Sequence, residues 1–154
     1  GPNRLAGEWG HSPMPWQPAD EPGLDCYCGR RGCIETSISG PGLAREHAQR
    51  HGGMLTAAEI AAAAEAGDAD AAASIARWQD RLARALTSVI HVLDPDVIVF
   101  GGGLSAIAST CARLPALVER EVFSGGWRDP LRTRFARARW GDASGVRGAA
   151  WLWR

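Results

Sequence analysis

Apolar and polar positions recur with a helical period over much of this chain. The clearest case follows Gly67, where Ile75, Trp78, Leu82, Leu86, Val89 and Leu93 fall at steps of three and four residues. This stripe predicts the longest helix, starting at Asp68 or Asp70 and ending near Leu93, with the whole stripe turned into a core. Asp94-Pro95 ends it. Upstream, Thr56 and Glu59 form a capping box for an alanine-rich helix that Gly67 closes. A shorter helix is predicted from Gly42 to Arg50, stopped by Gly52-Gly53. One helical turn is expected over Ile34–Ile38. Residues 1–11 read as loop and turn with at most a short strand, and residues 12–25, with four prolines, as an irregular surface loop.

Beyond Pro95 the period changes. Val97-Ile98-Val99-Phe100 is a short apolar run with three β-branched residues, which predicts a buried strand. Gly101-Gly102-Gly103 follows, then a helix containing Cys111, which Pro115 should interrupt or restart. Leu131–Trp140 alternates, but its phase slips near Phe135-Ala136, so a strand with a bulge is expected there. A last helix begins at Asp142 or Ser144 and ends in Trp151-Leu152-Trp153.

Composition narrows the function classes. The chain has 154 residues, 45% of them apolar, with 17 basic and 17 acidic side chains, enough for one domain with a real core. No basic block suggests nucleic acid, and no apolar run approaches the ~20 residues of a membrane span.

The candidate chemistry concentrates between Gly7 and Glu35. His11, Cys26, Cys28 and Cys33 are spaced H-x14-C-x-C-x4-C, with three of the four cysteines inside eight residues. Three thiols and an imidazole make a full tetrahedral zinc set. The glycines of CYCGRRGC let the backbone double back toward one ion. The competing reading is a metal-free cluster. A Cys26–Cys28 disulfide would close a strained ring, and pairing either with Cys33 leaves an odd thiol. The bland reading of His11 is a turn residue, and that of Glu8 and Glu35 solvated loop charges. Thiols grouped as ligands suit a reducing cytoplasm. Cys111 reads as a buried small apolar residue. His47, His51 and His91 have no ligand partners at readable spacing. Gly101, Gly102 and Gly103 permit close approach of a nucleotide to the backbone, or form only a tight turn.

GEWGH followed by CYCGRRGCIE resembles the signature of the ROK family of sugar kinases and sugar-responsive repressors. GEWGHSPMPW with CIETSISGPG resembles its bacterial fructokinase (manno-fructokinase) branch, and LDPDVIVFGGGLS at 93–105 and GDASGVRGAAWLW at 141–153 agree. Arg4 stands where the family usually has glycine. The resemblance implies an α/β fold, the C-terminal domain of an actin-like (ribonuclease H-like) ATPase/sugar kinase, with a zinc-binding loop. The expected layout is a zinc and sugar loop at 7–35, a strand–glycine–helix nucleotide turn at 96–110, and a terminal helix at 143–153.

The implied activity is transfer of the γ-phosphoryl of MgATP to a hexose, fructose first, by a cytoplasmic protein that is a homodimer at full length. The glutamates matching Glu8 and Glu35 bind the sugar, as does the histidine matching His11 through its second ring nitrogen. Zinc is structural, and the turn at Gly101–Gly103 sits against the adenosine of ATP. The family's catalytic base is an aspartate upstream, so the resemblance implies a C-terminal fragment without the N-terminal domain. Ala149, Ala150, Leu152 and Trp153 would then present an apolar face that the absent domain covers. A sugar-sensing repressor and a non-catalytic zinc-stabilised sugar-binding module are the alternatives.

Overall fold

A computed structural model describes residues 2–123 and 130–152, with Asp142 by its backbone alone. The chain divides into two compact units, Gly1–Ala85 and Leu86–Arg154, and the dividing point falls inside the longest helix.

The first unit opens on loop and turn, as expected, with a 3-10 turn at Glu8–His11. Gly7, at φ 92°, turns the chain into it. Helix α1, Ile34–Ile38, follows the cysteine loop, with Cys33 as its N-cap. Helix α2, Gly40–His51, starts two residues before the expected Gly42, because the Ser39 hydroxyl accepts from the Gly42 N–H and Pro41 pre-sets the first turn. Helix α3, Ala57–Glu65, carries the capping box in full: the Thr56 hydroxyl accepts from the Glu59 N–H, and the Glu59 carboxylate from the Thr56 N–H. Helix α4, Ala69–Leu93, is capped by Asp68, whose carboxylate accepts from the Ala71 N–H at 2.8 Å.

Ile75, Trp78, Leu82 and Leu86 are buried as the stripe predicts. The stripe's end is not. Val89 is half-buried and Leu93 is 69% exposed, while Ile90 is buried instead. Burial thus rotates off the predicted line in the last two turns. Met14, Ile34 and Ala85 form a buried cluster, with Trp9 and Ile38 packed against it. The Trp78 indole N–H donates to the Ile38 carbonyl at 2.8 Å and ties α4 to α1.

The second unit holds strands β1, Val97–Phe100, and β2, Arg134–Arg137, paired in parallel with Val97 opposite Arg134 and Phe100 opposite Arg137. Two expectations fail here. Strand β1 is not buried: Val97 and Val99 are exposed, and only Ile98 and Phe100 are half-buried. Strand β2 has no bulge, because the pairing is one to one and ends at Arg137. The phase slip is present in the burial, with Phe135 and Ala136 both half-buried between exposed Arg134 and Arg137, but it involves no extra residue.

Helix α5, Ser109–Glu121, passes through Pro115 without interruption, against expectation. Leu114 and Val118 are fully buried on either side, and their burial outweighs the hydrogen bond that proline cannot make. Cys111 on this helix is half-buried rather than buried. Helix α6, Ser144–Trp151, follows a 3-10 turn at Gly141–Ala143. Leu152 is 81% exposed, as the terminal apolar face predicts, and Trp153 lies outside the described residues. Among the described residues no helix is long and apolar enough to cross a membrane.

Candidate functional site

The loop between the first 3-10 turn and α1 is built on backbone pairing. Met14 N–H donates to the Gly32 carbonyl at 2.8 Å, and Ile34 N–H to that of Ser12 at 2.9 Å. Lower in the same loop, Cys26 N–H donates to Arg30 at 2.8 Å, and Gly32 N–H to Leu24 at 2.9 Å. The two arms press so closely that a Cβ on Gly23 would lie 2.5 Å from the Gly32 Cα. Only glycine fits there.

This folding brings His11, Cys26, Cys28 and Cys33 together, with one ligating atom from each all within 4.8 Å of one another. Cys28 and Cys33 sulfurs stand 3.6 Å apart, and the Cys26 sulfur 3.6 Å from His11 Nδ1. A tetrahedral ion with sulfurs at ~2.3 Å and nitrogen at ~2.1 Å sets ligand spacings of roughly 3.5–3.8 Å. The donor set therefore fits zinc in number and chemistry, and these two separations match its spacing. All three thiols are free. Their acidities are spread apart. The Arg30 backbone N–H, with help from neighbouring thiols and His11, lowers Cys28 to about 7, while burial and the neighbouring thiols raise Cys33 to about 11.

His11 turns its other nitrogen away from the sulfurs. Nε2 lies 3.4 Å from Glu35 Oε2 and 2.9 Å from the Tyr27 hydroxyl. Glu35 is fixed there by α1, which starts directly from Cys33 of the cluster. Gly10 lies against it, with room for a Cβ only 3.4 Å from the Glu35 Cβ. Glu8 occupies the start of the same 3-10 turn, and its charge reaches the Tyr27 hydroxyl. Partial desolvation and then the charge of Glu35 hold that phenol above its ordinary range, and a hydrogen bond to Glu35 contributes.

Tyr27 is the residue that the sequence reading missed. Its one signal is an aromatic ring between two clustered cysteines, where the backbone must throw it clear of the sulfurs. Trp9 has a packing role against the Met14–Ile34–Ala85 cluster. His47 bonds Ser74, and His51 bonds Arg77 and Asp70. His91 accepts from the Phe123 N–H. None of these joins the cluster.

Gly101, Gly102 and Gly103 lie in the second unit, all exposed. Strand β1 does not run straight into a helix. A 3-10 turn, Gly103–Ala106, intervenes, and the Ser105 hydroxyl closes it on the Gly102 carbonyl at 2.7 Å. Gly102, at φ 76°, makes the turn, and nothing stands within 4 Å of where a Cβ would be on Gly102 or Gly103.

The ROK family profile matches residues 1–154. The N-acetyl-D-glucosamine kinase of Escherichia coli O9:H4 (strain HS) is 39% identical over 157 residues, covering 99% of this chain and 50% of that protein. The structure resembles a ROK family glucokinase from Streptomyces griseus, solved with glucose and AMPPNP, at TM-score 0.79 and 27% identity over 96% of this chain and 51% of that one. It also resembles a ROK hexokinase from Thermus thermophilus, at TM-score 0.76 and 29% identity over 99% of this chain and 49% of that one. The chain spans about half the length of these relatives. Its fold is that of the actin-like sugar kinases, and the chain belongs to the ROK family.

Proposed function

We propose that this chain supplies the sugar-binding and metal-holding part of an ATP-dependent hexose kinase. The observation that supports this most is the two-faced placement of His11: Nδ1 toward the Cys26 sulfur, Nε2 toward Glu35. A metal-ligating histidine carries its proton on the other nitrogen and donates it outward. Here that outward donor meets a carboxylate, and together they match a hydroxyl that accepts from one and donates to the other. A site built this way rejects analogues lacking the hydroxyl.

In this reading His11, Cys26, Cys28 and Cys33 hold zinc, which supplies a cross-link only, because four protein ligands fill its shell. Glu8, His11 and Glu35 bind the sugar. Gly101, Gly102 and Gly103 admit the nucleotide, with Mg2+ accompanying ATP. Residues 7–35, 96–110 and 143–153 serve as sugar loop, nucleotide turn and terminal helix of a partial kinase domain. No residue of this chain is assigned as the catalytic base. The remaining requirement of phosphoryl transfer met here is positioning of the attacking hydroxyl.

Fructose is the proposed hexose, supported by GEWGHSPMPW and CIETSISGPG. N-acetylglucosamine, named for the Escherichia coli relative, is the competitor to measure beside it, with mannose and glucose. A coupled assay of the native-length protein with ATP and magnesium tests this. Turnover of fructose with the highest kcat/KM is expected. Equal inactivity on all four sugars ends the kinase reading. Glu35→Gln should raise the hexose KM at least tenfold, by about 1.4 kcal/mol or more, and leave the ATP KM nearly unchanged.

A further inference from the structure

Tyr27 projects from between two of the clustered cysteines, with 83% of its surface exposed. Its ring meets His11 edge-on, with centroids 5.1 Å apart and planes at 89°. Its hydroxyl oxygen lies 2.9 Å from His11 Nε2, and Glu35 Oε2 is 3.4 Å from the same nitrogen. An exposed phenol has bulk water as an alternative partner. This one nonetheless takes up the nitrogen that faces outward from the metal ligands.

We propose that the Tyr27 hydroxyl is a built-in surrogate for a substrate hydroxyl, occupying the position between His11 Nε2 and Glu35 that a hexose must claim. The inference rests on the sugar-site reading of His11 and Glu35. With Nδ1 turned to the thiols, Nε2 is the N–H donor. A phenol oxygen accepts from it and donates its own proton onward, as an alcohol does. One N–H at 2.9 Å cannot serve two oxygens equally well, so a sugar hydroxyl displaces the phenol. Exchange is then hydroxyl for hydroxyl. A ligand with no hydroxyl at that point displaces Tyr27 and leaves Nε2–H and a carboxylate unpaired, which costs binding. Tyr27 therefore lowers affinity by the same factor for every sugar that must displace it, while His11 and Glu35 favour the one that restores the same two bonds. It acts as an internal competitor that sets the affinity of the site.

The test is Tyr27→Phe, which keeps the ring and its edge-on contact and removes only the oxygen. Steady-state kinetics of the native-length protein on its best hexose should show KM falling roughly 2- to 10-fold, the range of one net hydrogen bond. The kcat should move far less than KM, and the zinc content should be unchanged. A hexose KM that is unchanged or raised in Tyr27→Phe overturns the inference. So does loss of zinc from that variant, which would make Tyr27 a positioning residue for the metal ligand. Glu35→Gln, run in parallel, separates the two levels. If it leaves the hexose KM unchanged, the sugar-site reading itself has failed. If it raises KM and Tyr27→Phe does not lower it, only the competition has failed.

Discussion

Glu46 of α2 and Arg81 of α4 meet at 2.6 Å, each side chain 10% exposed. The pair is the centre of a wider network. Arg77 and Arg50 each reach Glu46 Oε1 at 2.9 Å, and Arg81 also reaches Glu21 of the proline-rich loop at 2.9 Å. Removing one partner strands the other as a buried charge. Glu46→Ala should cost about 3–5 kcal/mol, read as a drop in the urea midpoint. A loss within 0.5 kcal/mol would show that water satisfies Arg81.

The same carboxylate sets an acid limit on stability. Burial alone would raise the Glu46 pKa, but the hydrogen bonds and charges of Arg81 and Arg77 outweigh it and hold the group below the ordinary range. A depressed folded pKa adds stability that is fully present above the unfolded value of ~4.3 and is lost as pH falls through the folded value. Thermal melts should therefore show stability declining below about pH 4. Glu46→Gln, which has no proton to gain, should flatten that slope. An identical slope in the variant assigns the acid limit to other carboxylates.

Metal removal should loosen the loop that carries Glu35. Protein purified without chelator should hold about one zinc per chain. A strong chelator should lower the melting temperature and make Cys26 and Cys33, both buried, reactive to a thiol reagent. Cys28→Ser should retain far less metal. Full zinc loading in that variant sinks the ligand assignment.

The back-to-back glycines offer a test that touches no ligand. Gly23→Ala places a methyl group against the Gly32 backbone at 2.5 Å. The arms must part, at a cost of about 1–3 kcal/mol, and metal affinity should fall with stability. Gly29→Ala has open space around it but a φ of 84°, so its cost is backbone strain of about 1 kcal/mol without a clash. Equal effects from the two would mean that the close approach is not what matters.

Pro115 is a local cost carried by α5. Replacing it with alanine restores an N–H inside a helix whose flanks are already buried. The gain should be about 2 kcal/mol, the helix term less the entropy that proline removes from the unfolded chain. Denaturant titration measures it, and a destabilised Pro115→Ala would show that the ring itself fills space in the core.

Local signals in this sequence were legible where chemistry and geometry coincide over a few residues. Thr56 and Glu59 specify their own cap. The cysteine spacing leaves few ways for the backbone to run except toward a common point. The Glu21–Glu46–Arg81 network was not legible, because its partners are 35 and 60 residues apart and only the packing of α4 on α2 unites them. Leu93 continues a helical stripe on paper, yet burial depends on what lies opposite, which periodicity does not encode. Val97 and Val99 mislead for the same reason: β-branching predicts a strand, not a cover for it. Tyr27 escaped because a residue between two cysteines of a cluster reads as a spacer.

The two-stranded sheet bears on how the chain fares while it is being made. Strands β1 and β2 are parallel, and among the described residues each has one neighbour only, so each keeps a flank of backbone N–H and C=O groups turned outward. Val97 and Val99 stand exposed on the same element. A bare flank beside β-branched side chains is what lets one copy template the next. Folding is first order in chain, whereas this templating is of higher order. The soluble fraction of the chain produced alone should therefore fall as its rate of synthesis rises, and slower induction should recover it.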